Sequence, residues 1–348
     1  TICMVAFNVR AREEMQDRTR DLPGLEIRTL NSLALAILSG RAPFISPSGR
    51  SAPSVIDERQ IRRILDDFVT GRRQAMADPF ATWIEALTST RLGLRSPAAV
   101  EQEFAPDVKD FATVLPQYRE RLRRSNSVDF DEQILGAIEV LCTDPAARAV
   151  ARRVCGVLLV DEFQDLTPAH VLFLRLLAGP RSEVFGVGDD DQTIYGYSGA
   201  SPAWLIDFAD LFPGAAAHDL TVNYRCPALV VQAAETLLSH NHRRIVKEIN
   251  AQPGRPPAAE ELEIVRTADP LSVTIERIQA LVANGVRPAD IAVLTRVNAT
   301  LLGPMFLLEE LGIATNAPVG ANFVERTGVA GALAWLDLAS APAQRFSH

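Results

Sequence analysis

Nine residues, VLLVDEFQD at 157–165, constrain the fold of this chain more than any other stretch. Unbroken aliphatic residues leave no polar face, so a strand here is covered on both sides, as strands are inside a parallel sheet with helices above and below. The apolar run, read from Val154 to Val160, stops on two adjacent acids. Side chains at the carboxyl end of such a strand face the crevice where open α/β sheets bind ligands. The next residues fit the same unit: Thr167 with Pro168 after it starts a helix, Gly179 ends it, and VFGVG at 184–188 supplies the next strand. That order makes a crossover unit and a parallel sheet.

Upstream, CMVAF at 3–7 and Leu25–Thr29 are predicted strands, and RAREEMQDRTR at 10–20 and Ser32–Leu38 predicted helices, the second closed by Gly40. Residues 41–54 have loop composition, and the periodicity from Val55 to Leu122 is helical throughout. Downstream, LTVNYRC at 220–226 contains a short strand before a helix over 227–240. Residues 251–261 carry three prolines and a glycine and read as a linker. A second α/β pattern comes next, with strands at Leu262–Val265 and Ile291–Leu294 and helices at 271–283, 299–311 and 328–339. The expected organisation is a first α/β domain from 1–40 and 128–250, a helical insert at 41–127, the linker, and the opening of a second domain at 262–348.

Several classes are excluded. No run approaches the roughly 18 apolar residues of a membrane span, and no signal-peptide order is present, so the expected compartment is the cytoplasm. Cys3, Cys142, Cys155 and Cys226 form no CxxC pair, which predicts reduced, mostly buried thiols. The five histidines show no metal-ligand pattern. A net charge of −8 argues against a uniformly basic nucleic-acid coat and restricts any such contact to a local groove. Residue 1 is Thr and a strand begins without lead-in, so the chain is expected to start inside a longer protein.

Three stretches carry chemistry. Asp161 at a strand end can hold Mg²⁺ through water, with Glu162 beside it to orient an attacking water. A solvated acidic turn would explain a bare Asp-Glu pair but not the whole nonamer. In VGDDDQTIYGYSGA at 187–200, Gln192 can donate to and accept from a phosphate, and Tyr195 and Tyr197 offer faces for stacking, or for ordinary core packing. In LTVNYRC, a strand delivers Arg225, whose planar cation suits a γ-phosphate, although taken alone an Arg at a strand end is more often a surface charge. The Arg-rich runs at 117–124 and 241–247 could touch phosphates, or form solvated helix faces.

Taken in order and spacing, DEFQD, GDDDQTIYGYSGA and NYRC resemble motifs II, III and IV of the UvrD/PcrA/Rep helicases of superfamily 1. AFNVRAREEM resembles the segment after that family's phosphate loop, TLNSLALAIL the next DNA-contacting segment, and VDFDEQI the helix re-entering the first motor domain. DIAVLTRVNA and GANFVERTGVAGALAWL resemble the opening of the second motor domain. The resemblance spans nearly the whole chain and is weakest over 41–127.

It implies a RecA-like parallel-sheet P-loop NTPase motor domain with an inserted helical subdomain, plus part of a second RecA-like domain. Such a motor takes ATP and Mg²⁺, steps along single-stranded DNA in the 3′ to 5′ direction, and unwinds single-strand/duplex junctions, with repair or replication proteins as possible partners. By the same resemblance, Asp161 would coordinate Mg²⁺, Glu162 would be the catalytic base, and Gln192 would couple γ-phosphate state to DNA contact. Arg225 would act as an arginine finger, Tyr197 would stack on a base, and Tyr195, Asn31 and Arg10 would contact DNA. Departures from the pattern touch the DNA grip: Ser198 replaces an Arg, Asn31 a His, and Asn8-Val9-Arg10 a Thr-Asn-Lys.

No GxxxxGK[ST] loop is present, and Gly49-Arg50-Ser51 lacks the preceding glycine and strand of one. As it stands the chain is expected not to hydrolyse ATP at a useful rate. Two rival readings remain: a non-catalytic, helicase-like DNA- or protein-binding subunit, and the motor part of a helicase-nuclease.

Overall fold

The computed structural model describes residues 2–45, 52–69, 80–181, 183–254 and 262–316. The chain divides into two compact units, residues 1–261 and 262–348.

The first unit is built on a four-stranded parallel sheet ordered β2-β1-β5-β6. It opens with β1 (Ile2–Ala6), α1 (Val9–Arg18), β2 (Leu25–Thr29) and α2 (Leu30–Ser39). Strand β1 sits centrally, pairing Met4 with Ile27 of β2 on one side and Val5 with Val160 of β5 on the other. Cys3 and Val5 are fully buried, as a strand covered on both faces requires. Helix α2 starts at the Thr29 cap, which exchanges hydrogen bonds with Ser32, and buries Leu30, Leu33, Ala34 and Ile37 along one stripe. It stops at Gly40, whose φ of 63° is the left-handed conformation that glycine adopts without strain.

A helical block comes next: β3 (Ser54–Val55), α3 (Glu58–Phe68), α4 (Ala81–Arg91), α5 (Pro97–Glu103), α6 (Phe111–Arg124) and β4 (Ser127–Val128). Its helices gather their own core around Leu65, Trp83, Val100, Phe111, Tyr118 and Leu122. Strands β3 and β4 pair in parallel, so the block leaves and rejoins the main body at a single two-residue ladder.

The chain then returns through α7 (Phe130–Thr143) and α8 (Pro145–Val154) to β5 (Val157–Val160), α9 (Pro168–Ala178) and β6 (Val184–Gly186). The main core is built from α2, α7 and α9 against the sheet, with Leu33, Ile134, Leu141, Leu158, Phe163 and Phe173 at its centre. Short α10 (Ala203–Ile206) and α11 (Phe208–Leu211) come after it, then β7 (Val222–Asn223), α12 (Ala228–Leu238) and β8 (Asn250–Ala251), with β7 and β8 paired in parallel.

The predicted strand at 154–160 begins only at Val157. Val154 and Cys155 continue the buried stripe of α8 set by Ala147 and Ala151, and the Cys155 N–H closes the helix on the Ala151 carbonyl. The strand predicted to reach Gly188 ends as a ladder at Gly186. Of the thiols, Cys3 and Cys155 are buried, Cys226 is partly buried and Cys142 is exposed.

Helix α9 begins with a capping box in which His170 Nδ1 accepts from the Thr167 N–H at 3.2 Å. Burial depresses the His170 pKa to about 4. Its contribution is therefore complete above the ordinary histidine range and is lost as pH falls through 6.5 toward 4, because only the unfolded chain takes up the proton. His170→Gln keeps the capping box and should remove this dependence. Urea unfolding at pH 4.5 and 7 should give the wild type on the order of 2 kcal/mol more pH sensitivity than the variant, discounted from the full linkage because the residue is half-buried.

The second unit contains α13 (Pro270–Ala283) and α14 (Leu302–Glu310), joined over Ile275, Ile278 and Leu308. The strands predicted at Leu262–Val265 and Ile291–Leu294 do not form among the described residues, since neither has a ladder partner, and Ile264 and Leu294 are exposed. The helix predicted at 328–339 and the Gly49-Arg50-Ser51 segment lie outside the described residues. Among the described residues no helix is long and apolar enough to cross a membrane.

Candidate nucleotide-binding cleft

The acids of DEFQD are presented by a sharp break in the chain. The Asp161 N–H still bonds the Val5 carbonyl, extending the sheet by one residue. Glu162 then turns left-handed at φ 50° and ψ 50°, a strained conformation for a residue with a side chain. A 3₁₀ turn over Phe163–Asp165 comes directly after, anchored by buried Phe163 against Phe208 and Phe212.

Gln164, buried at the centre of this turn, ties the two acidic loops together. Its Nε2 donates to Glu162 Oε2 at 2.8 Å, and its Oε1 accepts from the Asp189 N–H at 3.1 Å. Gly188 makes room for it: a Cβ there would strike Gln164 Oε1 and lie 3.1 Å from the Phe163 nitrogen. The relay ends at Gln192, whose Nε2 donates to Asp189 Oδ2 at 2.7 Å.

At the carboxyl ends of β1 and β5 these residues border a cleft of about 240 Å³, lined among others by Phe7, Asn8, Asp161, Glu162, Gln192 and Tyr195. The Tyr195 ring packs on Phe7 with centroids 5.4 Å apart. Asp165 also lines the cleft, and its Oδ1 is buried without a hydrogen-bond partner among the described residues. A hollow of about 580 Å³ at the opposite, amino-terminal ends of β5 and β6 is larger, but it holds none of the candidate residues.

Among the described residues the cleft is lined by three carboxylates and no Lys or Arg. Burial, and next the neighbouring Glu162 charge, raise the proton affinity of Asp161. The same causes push the Asp165 pKa up to about 6. Such a site favours a cation. Mg²⁺, which is held by one or two carboxylates and keeps several waters, fits Asp161 with an orphaned acid close by.

A tighter acidic group, Asp189, Asp190 and Asp191, has ligand oxygens within 4.8 Å of one another. Protein cations already fill it. Lys247 Nζ lies 2.6 Å from Asp189 Oδ1, 2.5 Å from Asp190 Oδ1 and 3.2 Å from Asp191 Oδ2, and Arg244 Nη2 lies 2.7 Å from Asp191 Oδ2. The Arg-rich run at 241–247 is thus irregular backbone docked on the aspartates, not a solvated helix face. In the other run, Arg119 is committed to Glu132 and Glu139, and Arg123 and Arg124 lie beside Glu120.

The structure therefore brings Asp161, Glu162, Gln192 and Tyr195 together and leaves Arg225, Arg10 and Asn31 out of the cleft lining. Arg225 is exposed at the end of β7 and is not among the cleft-lining residues. Arg10 is exposed on α1. Asn31 spends its amide on the Phe130 carbonyl, 2.7 Å away. The backbone of Tyr197 lies in a 3₁₀ turn over Gly196–Ser198, and its side chain is outside what the structure describes. Sequence reasoning missed Gln164, Asp165, Asp189 and Lys247. The first two sit inside the nonamer, where they look like spacers between the acids and the helix.

The sheet and its acidic mouth define an α/β domain with a cation-demanding cleft at the carboxyl ends of its central strands. The chain belongs to the UvrD/REP helicase N-terminal domain family, whose model matches residues 1–213. It is 31% identical to DNA helicase II of Escherichia coli (strain K12), over 97% of this chain and 48% of that protein. It is 27% identical to the ATP-dependent DNA helicase PcrA of Leuconostoc citreum over 98% of this chain and 46% of that protein. The corresponding figures for PcrA of Staphylococcus aureus (strain Mu50 / ATCC 700699) are 26%, 96% and 47%. The chain spans about half the length of these relatives.

Proposed function

We propose that this chain is part of the ATP-hydrolysing motor of a superfamily 1 DNA helicase that moves along single-stranded DNA in the 3′ to 5′ direction and unwinds the duplex it meets. The observation that carries this reading is the relay from Glu162 through Gln164 and Asp189 to Gln192, bordering a cleft that favours a cation. In this reading residues 1–40 and 128–250 are a RecA-like motor domain, 41–127 a helical insert, 251–261 a linker and 262–348 part of a second motor domain. The setting is the cytoplasm.

Glu162 takes a proton from the attacking water; its left-handed backbone presents the carboxylate, and the Gln164 amide holds that carboxylate in place. Asp161 would hold Mg²⁺, which when bound neutralises charge on the β- and γ-phosphates. Gln192 reads the presence of the γ-phosphate and passes it through Asp189 to the loop bearing Tyr195 and Tyr197. Tyr197 stacks on a base, and Asn31 and Arg10 grip the strand through polar and phosphate contacts. Arg225, exposed in this structure, reaches the γ-phosphate only in the nucleotide-bound protein.

Duplexes with a single 3′ or 5′ tail test the reading. The full-length protein should displace the strand of the 3′-tailed substrate in an ATP-dependent manner and leave the 5′-tailed one paired. Displacement of neither, with DNA binding intact, would favour the non-catalytic subunit.

A further inference from the structure

The relay between the acidic loops has an anchor that the proposed mechanism does not use. Lys247 lies 58 residues beyond Asp189 in sequence, yet its ammonium contacts all three carboxylates of Asp189–Asp191. The contact is enclosed at Asp190 and Asp191 and more open at Asp189: side-chain exposure is 15% for Lys247, 1% for Asp190, 2% for Asp191 and 34% for Asp189. The backbone of the same segment joins in, with the Ile245 N–H donating to Asp190 Oδ2 at 2.7 Å.

Three carboxylates this close repel one another and would separate without a counter-charge. Lys247 and Arg244 supply two positive charges against three negative. The two oxygens of Asp189 are divided: Oδ1 takes the Lys247 ammonium, while Oδ2 accepts the Gln192 amide. The Asp189 N–H in turn fixes Gln164, and Gln164 fixes Glu162. Burial alone would raise the proton affinity of Asp189, but its hydrogen bonds to Lys247, Gln192 and the Asp191 N–H, together with the Lys247 charge, outweigh this and hold the carboxyl below its usual range.

We infer that Lys247 is a positioning residue: by clamping Asp189–Asp191 it holds the Gln192 amide at the mouth of the cleft. This rests on the function proposed above. Lys247 touches no reacting atom and acts through Gln192, so its effect should fall on turnover and vanish when Gln192 is gone.

The test uses the full-length protein with saturating single-stranded DNA. Lys247→Met should lower kcat for ATP hydrolysis roughly 10- to 100-fold, the scale of a misplaced catalytic group. KM for ATP should stay within about threefold, as expected for loss of an interaction made in the transition state. Lys247→Arg, which can still bridge the aspartates, should recover most of the rate. In a Gln192→Ala background, Lys247→Met should cost nothing further. A second readout is independent of activity: amide exchange at Asp191 and Gln192 should quicken roughly tenfold in Lys247→Met while the sheet is unaffected.

Unchanged exchange in this loop, or the same loss of kcat with and without Gln192, would overturn the inference. Should the methionine variant fail to fold, Lys247→Gln, which keeps a donor, takes its place under the same criteria. Absence of DNA-stimulated hydrolysis in the wild type would sink the proposed function, and the exchange measurement would still decide the role of Lys247.

Discussion

Replacing Glu162 by Gln in the full-length protein is expected to lower DNA-stimulated ATP hydrolysis by roughly 10²- to 10⁴-fold, the contribution of a positioned general base. The substitution keeps the shape of the side chain and its ability to accept from Gln164 Nε2, the 2.8 Å bond that aims it, while removing the site that takes the proton. ATP binding should persist, because nothing in this role involves holding the phosphates. Rates from a coupled assay and affinities from a fluorescent nucleotide would separate the two. A variant that loses binding along with turnover would place Glu162 in nucleotide capture; one that retains turnover would remove it from the chemistry.

The second large effect concerns stability. Arg91, at the end of α4 in the helical block, is buried, and its Nη1 donates to both oxygens of Asp129 at 2.8 and 2.7 Å. Tyr118 donates to Asp129 Oδ2 at 2.5 Å, and Arg91 Nη2 reaches Asp131 at 3.1 Å. Burial would weaken the proton affinity of Arg91, but the two aspartates and Tyr118 more than offset it. Asp129 also caps α7, accepting from the Glu132 N–H at 2.8 Å, so the network joins the block to the first helix after it.

Arg91→Met leaves Asp129 charged and buried, which should cost about 3–5 kcal/mol in urea unfolding. Adding Asp129→Asn, which can still cap the helix, should recover part of that loss. The exposed pair Arg18–Glu14 should by contrast contribute less than about 1 kcal/mol. A loss below about 1 kcal/mol for Arg91→Met would mean that the apolar core of the block, not this ion network, fastens it.

The elements legible in the sequence share a local signature. The apolar runs at 2–6 and 157–160, the Thr167 cap and the Gly40 stop depend on neighbours within a few residues. The grouping of Asp161, Glu162 and Gln192 came from two strands ending in acids side by side in a parallel sheet, and β5 and β6 are indeed neighbours. Contacts across long separations were not legible. Lys247 finding Asp189, and Arg91 finding Asp129 across 38 residues, leave no periodicity in the chain. Gln164 was hidden for another reason: its role depends on the left-handed turn at Glu162 and on Gly188 opposite, and neither shows in a run of residue types. The boundary at Val154 failed because an apolar pair can end a helix as readily as begin a strand.

The most direct measurement is the rate of ATP hydrolysis by the full-length protein as single-stranded DNA is titrated in. A DNA-driven motor should show a low basal rate that rises steeply and saturates with DNA, falls as salt is raised because phosphate contacts are lost, and is absent with Glu162→Gln. A protein that binds the DNA but hydrolyses ATP neither with it nor without it would contradict the motor reading.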